Sequence, residues 1–298
     1  ILTILITPFL SCSAKLPVYI ILAGAFFGVR AGTVIFAIYL LGITLSIITG
    51  RLFRSTLLRG VDAPFVMELP PYRVPMLKSL LIHMWDRSKM FLKKMGKVIL
   101  IGSIIIWALS AFPRNVVYSV DYDSKINRVI TSYTAQLDAA AESAKPQIEK
   151  EKKAALVKVE KARQAEHVEK SFIGRIGKIS APVFAPLGID WRGGVALLTG
   201  FVAKEIVVST LGVLHAVGDE DASDALKAAL RASGMTPLSA LSMMVFVLLY
   251  LPCLASIAAI RRETGSFKWM LFSIAYSTTV AWAMAFIVYQ GGNLLGYG

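Results

Sequence analysis

Six stretches of this chain are dominated by apolar side chains: residues 1–27, 31–50, 96–112, 193–214, 237–260 and 267–290. That pattern restricts the fold more than any other feature. A helix of roughly 18–20 such residues crosses about 30 Å of hydrocarbon. Inside lipid, only helices and closed barrels satisfy their own backbone hydrogen bonds. These stretches are too long for barrel strands, so the expected fold is an all-α, polytopic helical membrane protein. Hydrophobic residues make up 56% of the chain, and the mean hydropathy is +0.64, both high for a soluble domain. The chain starts at Ile1 inside an apolar run, without the basic leader and cleavage site of a signal peptide. A fragment of a longer protein is therefore expected. Two cysteines are too few for a disulfide framework.

The segments are not equally regular. Pro8 and Pro17 interrupt the first, with Ser11-Cys12-Ser13-Ala14-Lys15 between them. Proline removes a backbone donor and clashes with the preceding turn, so a broken helix is expected. Pro252-Cys253 breaks the fifth segment in the same way. Broken helices at membrane depth survive only against protein or water. The fourth segment, 193–214, carries Lys204 and Glu205 near its middle. Each charge costs about 2.5–3.5 kcal/mol there unless paired or hydrated.

Charge is placed unevenly. Of the net +13, a +7 excess lies in residues 51–97. A basic chain can indicate nucleic acid, but an excess held in a short inter-helix loop fits positive-inside bias instead. No nucleic-acid partner is expected; membrane lipid is. Residues 51–97 are expected to be cytoplasmic and 114–192 extracytoplasmic. Within the basic loop, 76–95 reads as an interfacial amphipathic helix with Trp85, Met90 and Phe91, preceding a span over 96–112. Residues 114–171, rich in Ala, Lys, Glu and Gln and split by Pro146, predict a solvated helical hairpin. Six plain crossings would leave Arg261, Arg262 and Lys268 outside, against the bias. A re-entrant 237–260 removes that conflict.

Several residues suit transport chemistry. The thiols of Cys12 and Cys253 are soft donors for late first-row metals, and both stand at helix breaks, where Ser11, Ser13 and freed carbonyls add oxygen. Read alone, each thiol fits a buried apolar role equally well. Glu205 is an acceptor-only group at bilayer depth, with Lys204 beside it and Ser209 four residues on. The pair suits either cation passage or an interhelical salt bridge. Gly174 to Ser180 (GRIGKIS) lacks P-loop spacing and has Ile179 after the lysine, so no nucleotide site is expected in this chain. His83, His167 and His215 are scattered without metal-site spacing, and no catalytic triad is legible; the chain does not read as an enzyme.

Three strings occur in a specific order: PFLSCSAKLPVY (Pro8 to Tyr19), ELPPYRVP (Glu68 to Pro75) and GFVAKEIVVSTLGVL (Gly200 to Leu214). Together they resemble the membrane part of the bacterial ferrous iron transporter B (FeoB) family. The resemblance covers nearly everything outside residues 115–170. It implies that 1–50 ends a first gate region, 51–95 is a cytoplasmic loop, 96–113 a transmembrane helix, 114–192 an extracytoplasmic insertion and return, and 193–298 a second gate region. It further implies Fe2+ as the transported substrate across the bacterial inner membrane, with Cys12, Cys253, Glu205, Ser11 and Ser13 on the pathway. Glu68, Pro70, Pro71, Tyr72 and Arg73 form the motif loop, as a polar cluster or a rigid connector. Family members carry an N-terminal G domain and helical spacer, so GTP and Mg2+ belong to that part. A further cysteine, in a Gly-Cys-Asn-Val-Pro string, is expected before Ile1. Small accessory Feo proteins and self-association into a homo-oligomer are the implied partnerships. The alternatives are a gate-type transporter of nucleosides or of another divalent metal such as Mn2+, and a non-transporting membrane scaffold.

Overall fold

The helix Pro237–Leu249 has no polar face: eleven of its residues, from Leu238 to Leu249, are buried. A helix apolar all round belongs at the centre of a bundle, and the rest of the chain is arranged about it. The computed structural model describes residues 2–57, 76–139, 145–202, 204, 206–215, 222–250 and 252–297. In chain order the helices are α1 (Leu2–Ile6), α2 (Leu16–Phe26), α3 (Ala31–Thr56), α4 (Leu77–Ala111), α5 (Tyr122–Ala139), α6 (Lys145–Lys170) and α7 (Phe172–Phe184). They continue with α8 (Trp191–Thr199), α9 (Ile206–Leu214), α10 (Ala222–Ala232), α11 (Pro237–Leu249), α12 (Leu254–Thr264) and α13 (Phe267–Leu294). No strand occurs among the described residues, as an all-α membrane fold requires.

Around α11 pack α2, α3 and α13. Their inner residues, among them Tyr19, Leu22, Ile38 and Ala281, join Met243, Met244 and Leu248 in one core. Their outer faces stay apolar. Phe36, Leu40, Ile43 and Ile47 on α3, Ile101, Ile104 and Trp107 on α4, and Leu271 and Ile287 on α13 are all exposed. Apolar area of that extent outside a well-packed core is a lipid-facing surface, not a water-facing one. Among the described residues, four stretches are long and apolar enough to cross a membrane: Leu2–Phe26, Gly28–Thr56, Pro237–Thr264 and Phe267–Leu294. Phe172–Leu187 with Trp191–Thr199 would make a fifth, but the two meet at 108°.

Three expectations are corrected. Residues 76–95 and 96–113 are not an interfacial helix followed by a separate span; α4 is continuous over 35 residues. Segment 193–214 is not a crossing. It divides into α8 and α9, nine residues each, and turns back on itself. Thr199 Oγ1 lies 2.9 Å from Thr210 Oγ1, whereas eleven residues of straight helix would separate them by about 16 Å. Trp191 and Arg192 at its start and Leu214 and His215 at its end line the same pocket. The re-entrant element is therefore 193–214 rather than 237–260, since α11 and α12 form one broken span without a sharp bend. The expected hairpin is present as α5 and α6, packed together with Pro146 in the first turn of α6. GRIGKIS lies inside α7 and is helical, so it is no phosphate loop.

The bundle has two distinct ends. At one, α4 runs into the α5–α6 hairpin, Arg231 of α10 donates to the Ala25 carbonyl ending α2, and Gln290 of α13 donates to Pro186 O at 2.8 Å. At the other, Phe53 near the end of α3 packs its ring tilted against Phe272 and edge-to-face against Tyr276 of α13, and Tyr276 donates to Leu5 O of α1.

Candidate functional site: a cavity at three helix breaks

Three interruptions of helix meet at the C-terminal end of α11. In the first, α1 gives way to a 3-10 turn over Thr7–Phe9, extended backbone at Leu10 and Cys12, and a second turn over Ser13–Lys15. In the second, Tyr250 leaves α11 with extended backbone, and α12 starts after Cys253. The third is the turn between α8 and α9. The two cysteines occupy matching positions. Each is the N-cap of the helical segment that follows its break, with ψ of 163° at Cys12 and 161° at Cys253.

Proline accounts for the chemistry of the second break. An unbroken helix would bond Leu248 O to the N–H of residue 252, but Pro252 has none. Lys15 supplies the missing donor: its Nζ is 2.7 Å from Leu248 O, 3.0 Å from Leu10 O and 3.1 Å from Pro8 O. The ammonium's three donors are thereby matched to three carbonyls. Lys15 is only 2% exposed, so its burial is supported by hydrogen bonding and by the partial negative charge at the end of α11.

Lys204 sits at the tip of the α8–α9 turn and is also buried. Its Nζ is 4.4 Å from the centre of the Tyr250 ring, a cation–π distance, and 3.4 Å from Val247 O. Tyr250 in turn donates to Leu197 O of α8 at 3.4 Å, and Leu254 N donates to Phe201 O at 3.0 Å. Close approach here needs glycine: a Cβ on Gly200 would collide with Val207 and the Tyr250 hydroxyl. Gly42 serves α3 likewise, because a Cβ there would lie 2.7 Å from Phe9 O.

These breaks enclose a cavity of about 640 Å³. Cys12, Cys253, Ser11, Lys15 and Lys204 all line it. Cys12 is exposed and Cys253 half-buried, with Cys253 Sγ 3.4 Å from Ser256 Oγ. Ser11 Oγ is buried, beside the Tyr19 hydroxyl. Glu263, in the last turn of α12, is the cavity's one described carboxylate. It stands ten residues, or about 15 Å of helix, from Cys253.

The sequence reading thus places four of its residues, Cys12, Cys253, Ser11 and Lys204, on one cavity and misses others. Ser13 and Ser209 are exposed and do not line it. Lys204 is not in a helix interior, as expected, but in a turn. Glu205 and the motif loop Glu68, Pro70, Pro71, Tyr72 and Arg73 lie outside the described residues. Lys15 and Glu263 were missed. A lysine between two prolines in an apolar run was the available signal for the first. Among the described residues, no group of three or more His, Cys, Asp or Glu side chains could hold a metal ion. The donors that the described residues offer a cation in the cavity are two thiols, hydroxyls, carbonyls and, at its far end, Glu263.

The hairpin's polar cluster is separate. Glu166 accepts from Ser119 N, Tyr122 Oη at 2.8 Å and Lys170 Nζ at 2.8 Å. Partial burial would raise its pKa, but the lysine and the two hydrogen-bond donors outweigh that and hold the carboxyl at about 2.

Comparison with known proteins agrees with this architecture. A family profile described as "Nucleoside recognition" (Gate) matches residues 92–267. A second, described as "Ferrous iron transport protein B C terminus", matches 35–87. A Porphyromonas gingivalis protein, "Fe(2+) transport protein A/Fe(2+) transporter FeoB fusion protein", is 46% identical over 98% of this chain and 34% of its own length. The "Fe(2+) transporter FeoB" of Methanocaldococcus jannaschii is 36% identical over 99% of the chain and 37% of its own. That of Helicobacter pylori (strain J99) is 35% identical over 99% and 44%. The chain therefore spans between about a third and less than half of these relatives. No solved structure matches. Two family profiles and relatives aligned along nearly the whole chain, on a bundle of broken apolar helices, place this multi-pass membrane protein in the FeoB family, as a C-terminal membrane part carrying the Gate region.

Proposed function

We propose that this chain is the permease part of a transporter that moves Fe2+ into the cytoplasm, across the inner membrane in a bacterium. The observation that carries it is the convergence of Cys12 and Cys253, from two separate helix breaks, on one cavity. Sulfur with backbone oxygen suits a borderline cation such as Fe2+. Broken helices around a central cavity are the architecture in which transporters hold ions. The named activity of the relatives supports the same reading.

Sidedness follows from charge. The +7 excess of residues 51–97 assigns the end of α3 and the start of α4 to the cytoplasm. The hairpin end is then outside. Because α8 and α9 return to the side they start from, α12 ends inside, and Arg261, Arg262 and Lys268 fall there too. The re-entrant pair thereby resolves the charge conflict of six plain crossings. Glu263 marks the cytoplasmic mouth of the cavity. Control by GTP would come from parts of the whole protein beyond this chain, with Mg2+ as the nucleotide's companion. The Porphyromonas relative, a fusion with "Fe(2+) transport protein A", supports an accessory Feo protein as a partner.

The test is anaerobic 55Fe2+ uptake into proteoliposomes containing the full-length protein. Uptake by wild type with loss in Cys12→Ser and Cys253→Ser is expected; normal rates in both variants would remove the thiols from the pathway. A nucleoside reading draws on the Gate description and on a cavity large enough for a small molecule. Among the described residues, the cavity lining contains no Asn or Gln to read a base, and uptake of labelled uridine and adenosine in the same vesicles decides between the two.

A further inference from the structure

Lys15 Nζ occupies a place built for a cation. Three carbonyl oxygens converge on it from two broken helices, at 2.7–3.1 Å. None is in regular helix bonding with the residue four positions on: Leu248 faces Pro252, and Leu10 is extended. Among the described residues, no carboxylate forms an ion pair with Lys15. The same cavity wall holds both thiols and the hydroxyl of Ser11. A lysine that merely tied two helices together would need no cavity on its flank. This one borders a cavity of about 640 Å³ that extends to Glu263.

We infer that the Lys15 ammonium is a tethered stand-in for the transported cation. The carbonyls of Pro8, Leu10 and Leu248 form a cradle that Fe2+ takes over when the flexible lysine stem withdraws into the cavity. The thiols of Cys12 and Cys253 complete the ligand set. No bond is made or broken beyond coordination and hydrogen bonds. The inference deepens the Fe2+ reading and rests on it for the identity of the ion, but the cradle itself is testable without iron.

The experiment uses Lys15→Met in the full-length transporter in detergent, with thermal melting as readout. Three carbonyls lose their donor, so the midpoint should fall by about 5 °C or more. Methylammonium, the lysine head group without its tether, should restore at least about half of that loss at ~10 mM by mass action. Anaerobic Fe2+ should restore it at lower concentration. Lys204→Met, which gives up one long hydrogen bond and a cation–π contact but empties no carbonyl cradle, should show neither response. Rescue by methylammonium alone would make Lys15 a structural tie and overturn the inference. So would rescue by neither, or failure to fold with both present. A second measurement uses wild type: on Fe2+ loading, acylation of Lys15 by an amine reagent, read by mass spectrometry, should rise several-fold. A Lys15 that stays protected overturns the exchange. The Fe2+ reading is judged separately, by wild-type uptake.

Discussion

The α11 core and the α5–α6 hairpin handle charge in opposite ways. In the hairpin, charged side chains meet oppositely charged partners near water, as Arg163 with Asp123 and Lys170 with Glu166 do. In the core, two lysines are buried against backbone carbonyls and an aromatic ring, with no described carboxylate as partner. Exposed pairs are screened and worth little, about 0–1 kcal/mol each. A buried cation held by carbonyls fixes the geometry of everything that supplies them. The hairpin is therefore tolerant and the core is not.

That contrast sets the order of expected effects. The largest is at Gly200. Gly200→Val should cost about 1–3 kcal/mol or more by overpacking, seen as loss of folded protein in size-exclusion chromatography. A well-folded variant would show that the turn can relax. Next, Cys12→Ser and Cys253→Ser should each lower Fe2+ uptake about tenfold or more, equal to about 1.4 kcal/mol, with melting unchanged. Glu205→Gln should impair uptake more than Lys204→Met does; equal activity of the glutamine variant and wild type would withdraw Glu205 from the pathway.

Effects in the hairpin should be smaller. Glu166→Gln weakens a screened pair worth about 0–1 kcal/mol. It should speed hydrogen exchange in α6 while leaving uptake within about twofold, a change under 0.5 kcal/mol. The pH dependence has a definite sign. The folded pKa of Glu166, about 2, lies below its ordinary 4.5. Its contribution is complete above pH 4.5 and disappears as pH falls towards 2. Exchange protection of α6 should therefore fall across that window in wild type and stay flat across it in Glu166→Gln. Sidedness gives no energy but a clean answer. In a cysteine-less background, an impermeant thiol reagent should label position 145 from outside and position 262 only after permeabilisation.

Proline made two of the three breaks legible. Pro8, Pro17 and Pro252 mark chain that cannot stay helical, and the thiols beside them were read as belonging together. The third break has no proline. Residues 193–214 are apolar enough to read as a crossing, and only Gly200 and the adjacent Lys204-Glu205 hinted otherwise. That α8 and α9 turn back depends on contacts such as Thr199 with Thr210 and on the room Gly200 leaves for Tyr250. Those are tertiary facts with no local signature. Lys15 was hidden for a related reason: its partner Leu248 is 233 residues away. The solvated hairpin, by contrast, was readable from composition alone, because exposed helices depend on propensity more than on distant partners.

The hairpin leaves and rejoins the bundle at nearly one point, where Phe172 N donates to Phe112 O at 3.0 Å. An excursion that begins and ends in the same place behaves as a removable attachment. It could be shortened, exchanged for another helical pair, or made to carry a fluorophore or an antibody epitope, provided the replacement keeps its two ends together. That offers an engineer a marker of orientation for imaging, set apart from the cavity at the three helix breaks.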